Sequence, residues 1–181
     1  MKKKVFLLLI AVSTLLSSSV LRAQSDGLGE GYDGEWNHVS TQLIALAEAI
    51  PADKYAWRPG PGVRSVSEVY MHLVYANFYM LSFLGEKMPA GVTHDMGKRV
   101  TSKPEVIDWL NRSLDAVKTA RAQLKPGELQ HKVKLFGIDT TVDGVYLRII
   151  VHNNEHMGQM VAYARMNNIV PPWSLPAPAK K

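Results

Sequence analysis

The stretch I-I-V-H-N-N-E-H-M-G-Q-M-V-A-Y, Ile149 to Tyr163, decides how the chain is read. It places His152 and His156 four residues apart inside an apolar segment. Residues four apart on a helix lie on one face, one turn from each other. The stripe they belong to runs Val145, Ile149, His152, His156, Gln159 and Tyr163, in steps of four and three. That is the spacing of a seam facing a helical core. Two imidazoles therefore stand where a bundle normally buries leucine, placed so that both can grip one metal ion.

Outward from this stretch, apolar residues recur at helical spacing in three earlier segments. Trp36, Val39, Leu43, Leu46 and Ile50 predict a first helix from about Asp33, ended by Pro51. Between Pro51 and Arg64 the prolines and glycines are too dense for a regular element. Tyr55 and Trp57 within that loop predict that it packs down on the core. Ser65-Val66-Ser67-Glu68 is a capping box, a hydroxyl followed three residues later by a carboxylate. It opens a second helix reaching about Leu84, one seam of which is Val69, His72, Ala76, Tyr79 and Phe83. A polar connection containing His94 follows, then a third helix from Pro104 to Leu124. Val133 to Val142 reads as a short hairpin or an irregular loop, and Thr141 or Asp143 caps the last helix, which ends near Asn168. The fold class is all-α, a four-helix bundle with that short segment before its last helix. Connection lengths leave the order of the helices open.

The N-terminus has another character. Lys2, Lys3 and Lys4 precede an apolar run from Val5 to Val12, and Leu21-Arg22-Ala23 offers a cleavage site. This is the layout of a signal peptide over residues 1–23. The apolar run is shorter than the roughly 20 residues of a membrane span. The expected product is an exported protein, periplasmic or secreted, with no stable membrane insertion. A glycine-rich lead-in over 24–34, a bundle over 35–173 and a mobile Pro/Lys tail over 174–181 complete the division. Pro171, Pro172 and Trp173 are expected to dock on the bundle. Without the leader, 17 of the 21 basic residues remain against 16 acidic ones. The high pI of about 9.4 therefore belongs largely to the leader, and no basic cluster marks a nucleic-acid partner. With no cysteine there is no disulfide and no protein thiol chemistry.

His72 shares the seam character of His152 and His156, whereas His38 lies beside a seam and His94 and His131 lie in loops. If the second and fourth helices face each other, three imidazoles converge. Three neutral imidazoles with one open position form a known plan for catalytic zinc, and nickel and iron also accept imidazole. Three imidazoles buried together without a metal would each need a hydrogen-bond partner. The same stretch spells H-x-x-E-H, the inverted zinc-protease pattern. That pattern needs a third ligand downstream, and no Asp, Glu or His follows His156. Glu155 is read instead as a flanking charge. Gln159 and Tyr163 continue the seam and are candidate pocket residues, with simple packing as the alternative role.

The segment from His152 to Arg165, with Gly158-Gln159 inside it and Pro171-Pro172 after it, resembles the last helix of the DinB/YfiT-like family. Trp57-Arg58-Pro59, the capped helix at Ser65 and then His72 resemble its earlier motifs, so the likeness spans about Trp36 to Trp173. The resemblance implies a DinB-like bundle with His72, His152 and His156 as a metal triad, commonly zinc or nickel. It also implies a metal-dependent hydrolase, or a thiol-dependent transferase or isomerase using a small intracellular thiol. An export leader departs from the mostly cytosolic relatives and weakens the small-thiol reading. No carboxylate base stands on either histidine seam, which favours transfer chemistry or a non-catalytic metal- or small-ligand-binding module. A purely structural bundle with buried histidines is the third reading. A homodimer through helix faces is compatible with this fold.

Overall fold

A computed structural model describes residues 29–176. The leader read over 1–23, the start of the lead-in and the tail from residue 177 lie outside the described residues. Four helices, α1 (Gly31–Ala49), α2 (Val66–Ser82), α3 (Lys103–Ala122) and α4 (Val142–Met166), form the bundle, with strands β1 (Lys132–Leu135) and β2 (Ile138–Thr141) between the last two helices.

Each of α1 and α2 packs on both α3 and α4, so the order around the bundle is α1, α3, α2, α4. Side-chain contacts fix the directions. Tyr55, just after α1, donates from its hydroxyl to the Ala47 carbonyl (2.7 Å), and the Ser67 N–H donates to the Tyr55 carbonyl (2.9 Å). The end of α1 therefore meets the start of α2. Lys103 at the start of α3 donates to the carbonyls of Glu48 and Ile50 (2.6 and 2.8 Å), which puts α3 at that same end. Tyr163, late in α4, reaches the Arg64 carbonyl there (3.1 Å). Helices α2 and α3 thus run one way, and α1 and α4 run the other. To start α3 beside the start of α2, the chain must return along α2. Gly97 makes the close approach of that return possible, because a Cβ there would lie 3.2 Å from the Glu68 Cα.

The loop from Pro51 to Arg64 packs down as expected. Tyr55 is buried, and the loop carbonyls of Tyr55 and Trp57 accept from Ser67 and Val66 at the start of α2. The capping box is complete: the Ser65 N–H donates to Glu68 Oε2 (2.7 Å) and the Glu68 N–H to Ser65 Oγ (3.3 Å). The free N–H groups at this helix end are consequently all used. Helix α1 begins at Gly31, ahead of the expected Asp33, because Tyr32 stacks on Trp36 (6.3 Å between centroids) and lies under the Arg121 guanidinium (3.9 Å). These contacts hold a glycine-bearing first turn in helical form.

The segment before α4 is a hairpin. Phe136 and Gly137 have φ of 52° and 83°, the signature of a two-residue turn whose twist matches its strands. Phe136 lies against the rings of Tyr79 and Phe83 (5.8 and 5.4 Å). Thr141 is the cap of α4, accepting from the Gly144 N–H (3.1 Å). Beyond α4, Pro171 is buried but Trp173 is 40% exposed, so only part of the expected docking of that segment is present.

A polar knot joins three helices in the core. Asn77 of α2, Ser113 of α3 and Asn153 of α4 are fully buried. Asn153 Nδ2 donates to Asn77 Oδ1 (2.7 Å) and to the Ile149 carbonyl (2.8 Å). Asn77 Nδ2 donates to Ser113 Oγ (3.3 Å), which donates to the Leu110 carbonyl (2.9 Å). Satisfied buried networks fix packing, whereas a half-removed one leaves an orphan.

Two stability outcomes follow. Asn153→Leu strands Asn77 Oδ1 and should lower unfolding free energy by about 1–3 kcal/mol in urea denaturation. Lys103→Met removes the bonds that close the end of α1 and should cost about 1–2 kcal/mol in the same assay.

Candidate metal centre

His72 sits in the second turn of α2, and His152 and His156 lie one turn apart near the middle of α4. The antiparallel pairing of these two helices brings the three rings together. Centroids are 5.1 Å apart for His72 and His152, 4.9 Å for His72 and His156, and 4.6 Å for His152 and His156. One nitrogen from each lies within 4.8 Å of the other two. Bonds of about 2 Å to a tetrahedral ion require nitrogens about 3.3 Å apart. To hold one ion at that spacing the three rings would have to rotate toward one another. All three rings are partly buried.

The protonation states suit a cation. Burial pushes the His72 imidazole down to about 3, reinforced by the Arg64 charge and the other histidines. Burial likewise pushes His152 down to about 4, with His156 and Arg148 adding to it. Both are neutral at pH 7 and present a lone pair. Nδ1 of His152 is buried with no hydrogen-bond partner. An orphaned buried polar atom of that kind costs about 1–3 kcal/mol, a cost that a bond from that nitrogen to an ion would relieve.

His156 is held by a string of hydrogen bonds whose direction is forced. The Arg64 carbonyl only accepts, so the Tyr163 hydroxyl donates to it (3.1 Å). The Tyr163 oxygen then accepts from Gln159 Nε2 (2.9 Å), which turns Gln159 Oε1 toward His156 Nδ1 (2.7 Å). Nδ1 must therefore carry the proton, and Nε2 is left with its lone pair. Orienting partners of this kind set the tautomer and basicity of a metal-binding histidine. Gln159 and Tyr163, expected as pocket residues, thus act on His156 along the string. Trp57 supports Tyr163 edge-on (5.4 Å).

Glu155 stays outside the cluster. Arg148 grips both of its carboxylate oxygens (3.2 and 2.5 Å) and holds its carboxyl below the usual range. The protease-like spelling is thus not realised in space. His94 lies against Tyr75 (5.4 Å between rings) and His131 is exposed; neither joins the triad.

His72 opens onto a cleft of about 300 Å³, walled by the loop before α2 and by the return segment after it. The loop contributes Arg58 and Arg64, and the return segment contributes His94, Asp95 and Lys98. Reading the chain as seams found the three ligand candidates and missed this wall. It also missed Asn77 and Asn153. Asn77 stands four residues from both Leu73 and Leu81 on an apolar face, a legible sign of a buried polar contact.

Comparison with known proteins places the fold. Residues 35–160 match the family model of the DinB superfamily. A crystallised DinB-like protein from Bacillus cereus superposes with a TM-score of 0.70 at 21% identity, covering 79% of this chain and 95% of the other. A DinB-like protein from Bacillus subtilis gives a TM-score of 0.54 at 17% identity, covering 81% and 96%. No curated protein sequence matches the chain.

Two outcomes test the site's construction. Tyr163→Phe cuts the string between Gln159 and Arg64 and should weaken zinc binding about 10-fold by competition titration, with the fold retained by circular dichroism. The second concerns acid. His72 and His152 titrate lower in the folded chain than their unfolded value near 6.5, so the unfolded chain binds more protons between those limits. The metal-free protein should therefore lose stability as pH falls from about 6.5 to 3. A His72→Gln/His152→Gln double variant should show a shallower loss in thermal melts.

Proposed function

The chain belongs to the DinB superfamily, and from that premise we propose that it is an exported protein holding one divalent ion, zinc or nickel, on His72, His152 and His156. The observation that carries the reading is the convergence of three partly buried imidazoles, two with depressed proton affinity and the third with its tautomer fixed. Export is supported by the leader pattern from Lys2 to Ala23. No helix among the described residues is long and apolar enough to cross a membrane.

The reaction class we favour is hydrolysis or group transfer on a small molecule entering beside His72. The chemistry such an ion supplies is Lewis acidity, which lowers the pKa of a bound water or thiol toward neutrality. The chain's own residues supply the rest. His72 and His152 give neutral donors at pH 7, Gln159 and Tyr163 keep the proton on His156 Nδ1, and partial burial of the rings limits competing water.

A non-catalytic metal- or small-ligand-binding module is the second reading. It is favoured by the occupation of the nearby carboxylates: Glu155 is held by Arg148, and Glu68 by the Ser65 N–H and by Arg58 (3.1 Å). Neither is free to take a proton.

Elemental analysis of the purified protein should find about one equivalent of zinc or nickel. His72→Ala should lower that content at least several-fold, and hydrolysis of activated esters or thiol transfer should vanish with chelation and return with metal. Metal retained without any turnover would select the binding module, and no retained metal would overturn both readings. Mass spectrometry of the exported chain should find Gln24 as its first residue.

A further inference from the structure

We propose that the cleft beside the triad takes a substrate bearing an oxyanion, a carboxylate or phosphoryl group, gripped by the guanidinium of Arg64. The proposal rests on the reading of this cleft as the entrance to the metal centre and adds the class of molecule that enters.

The cleft walls carry Arg58, Arg64 and Lys98 together with Glu68 and Asp95. Arg58 is engaged, with Nη2 3.1 Å from Glu68 and Nη1 donating to the Val63 carbonyl (2.9 Å). Glu68 is engaged in turn by the Ser65 N–H. Asp95 accepts from the Thr93 hydroxyl (2.7 Å) and lies 4.0 Å from Arg99. Arg64 is the contrast. Its carbonyl is tied to the Tyr163 hydroxyl, which pins its backbone at the lip. Its side chain lines the same cleft as His72, and its guanidinium has no hydrogen-bond or ion-pair partner among the described residues. Lys98 across the cleft also lacks one and adds a second positive charge.

A guanidinium anchored at its base and unengaged at its tip presents a planar fork of donors, which matches a carboxylate or phosphoryl group bidentately. The start of α2 offers no competing anion site, because its N–H groups are already bonded to Ser65 and to the loop carbonyls. Imidazole ligands carry no negative charge, so a bound divalent ion would leave the cleft more positive still.

The test is calorimetric titration of the full chain, zinc-loaded and chelator-stripped, with benzoate, phenyl phosphate and neutral benzamide. At least one of the two anions should bind and benzamide should not, and the tighter anion identifies the group. Arg64→Gln should weaken anion binding roughly 10- to 100-fold in both metal states. Arg64→Lys should recover only part of the loss, because it restores charge without the fork. Since the Arg64 side chain is exposed and only its backbone joins the string, both variants should fold and keep their zinc. Equal affinity for benzamide and the anions overturns the proposal. So does unchanged anion binding in a zinc-loaded Arg64→Gln protein, which leaves the metal reading intact. Arg64-dependent anion binding in a protein that retains no zinc sustains the proposal and refutes the metal reading instead.

Discussion

Three imidazoles from two helices meet only if those helices hold one rotation and one height relative to each other. In this bundle the buried pair Asn77–Asn153 sets both. Apolar packing alone tolerates sliding and rotation, since one methyl surface replaces another at little cost. A 2.7 Å hydrogen bond between side-chain amides does not, because displacement orphans Asn77 Oδ1 in the core. Asn153 directly follows His152, so the contact that fixes α4 against α2 also aims the histidine stripe.

The remaining order at the centre comes from one end of the bundle. There the loop from Pro51 to Arg64 satisfies the start of α2, receives Tyr163 from α4 and places Arg64 on the lip of the cleft. Lys103 and Tyr55 close the end of α1 at the same level. The opposite end carries the hairpin, whose Phe136 rests on the aromatic rings late in α2. One end is thus built of hydrogen-bonded loops around the site, and the other of ring packing.

Much of this was legible in the chain. His72, His152 and His156 fell on seams because a period of three and four is local, and Ser65 and Glu68 announced the cap because the box is local too. The four-helix class and the DinB likeness followed. The hairpin stayed open between two forms because its turn depends on Phe136 adopting positive φ, which sequence disfavours and ring packing supports. The order around the bundle, the Asn77–Asn153 pair and the unengaged tip of Arg64 depend on which helices become neighbours. Tyr32 drew α1 forward for the same reason: its partners Arg121 and Tyr146 come from distant segments.

The parallel course of α2 and α3 has a consequence for how such a molecule diversifies. Because the chain must travel back along α2, the segment from Gly85 to Thr101 becomes a wall of the cleft while contributing nothing to the triad. The histidine triad and the cleft wall are therefore separate modules of one sequence, one on helices and the other on a connecting strap. Changes of length or charge in the strap would reshape the cleft and leave the triad-bearing helices untouched, so one scaffold can carry differently built entrances.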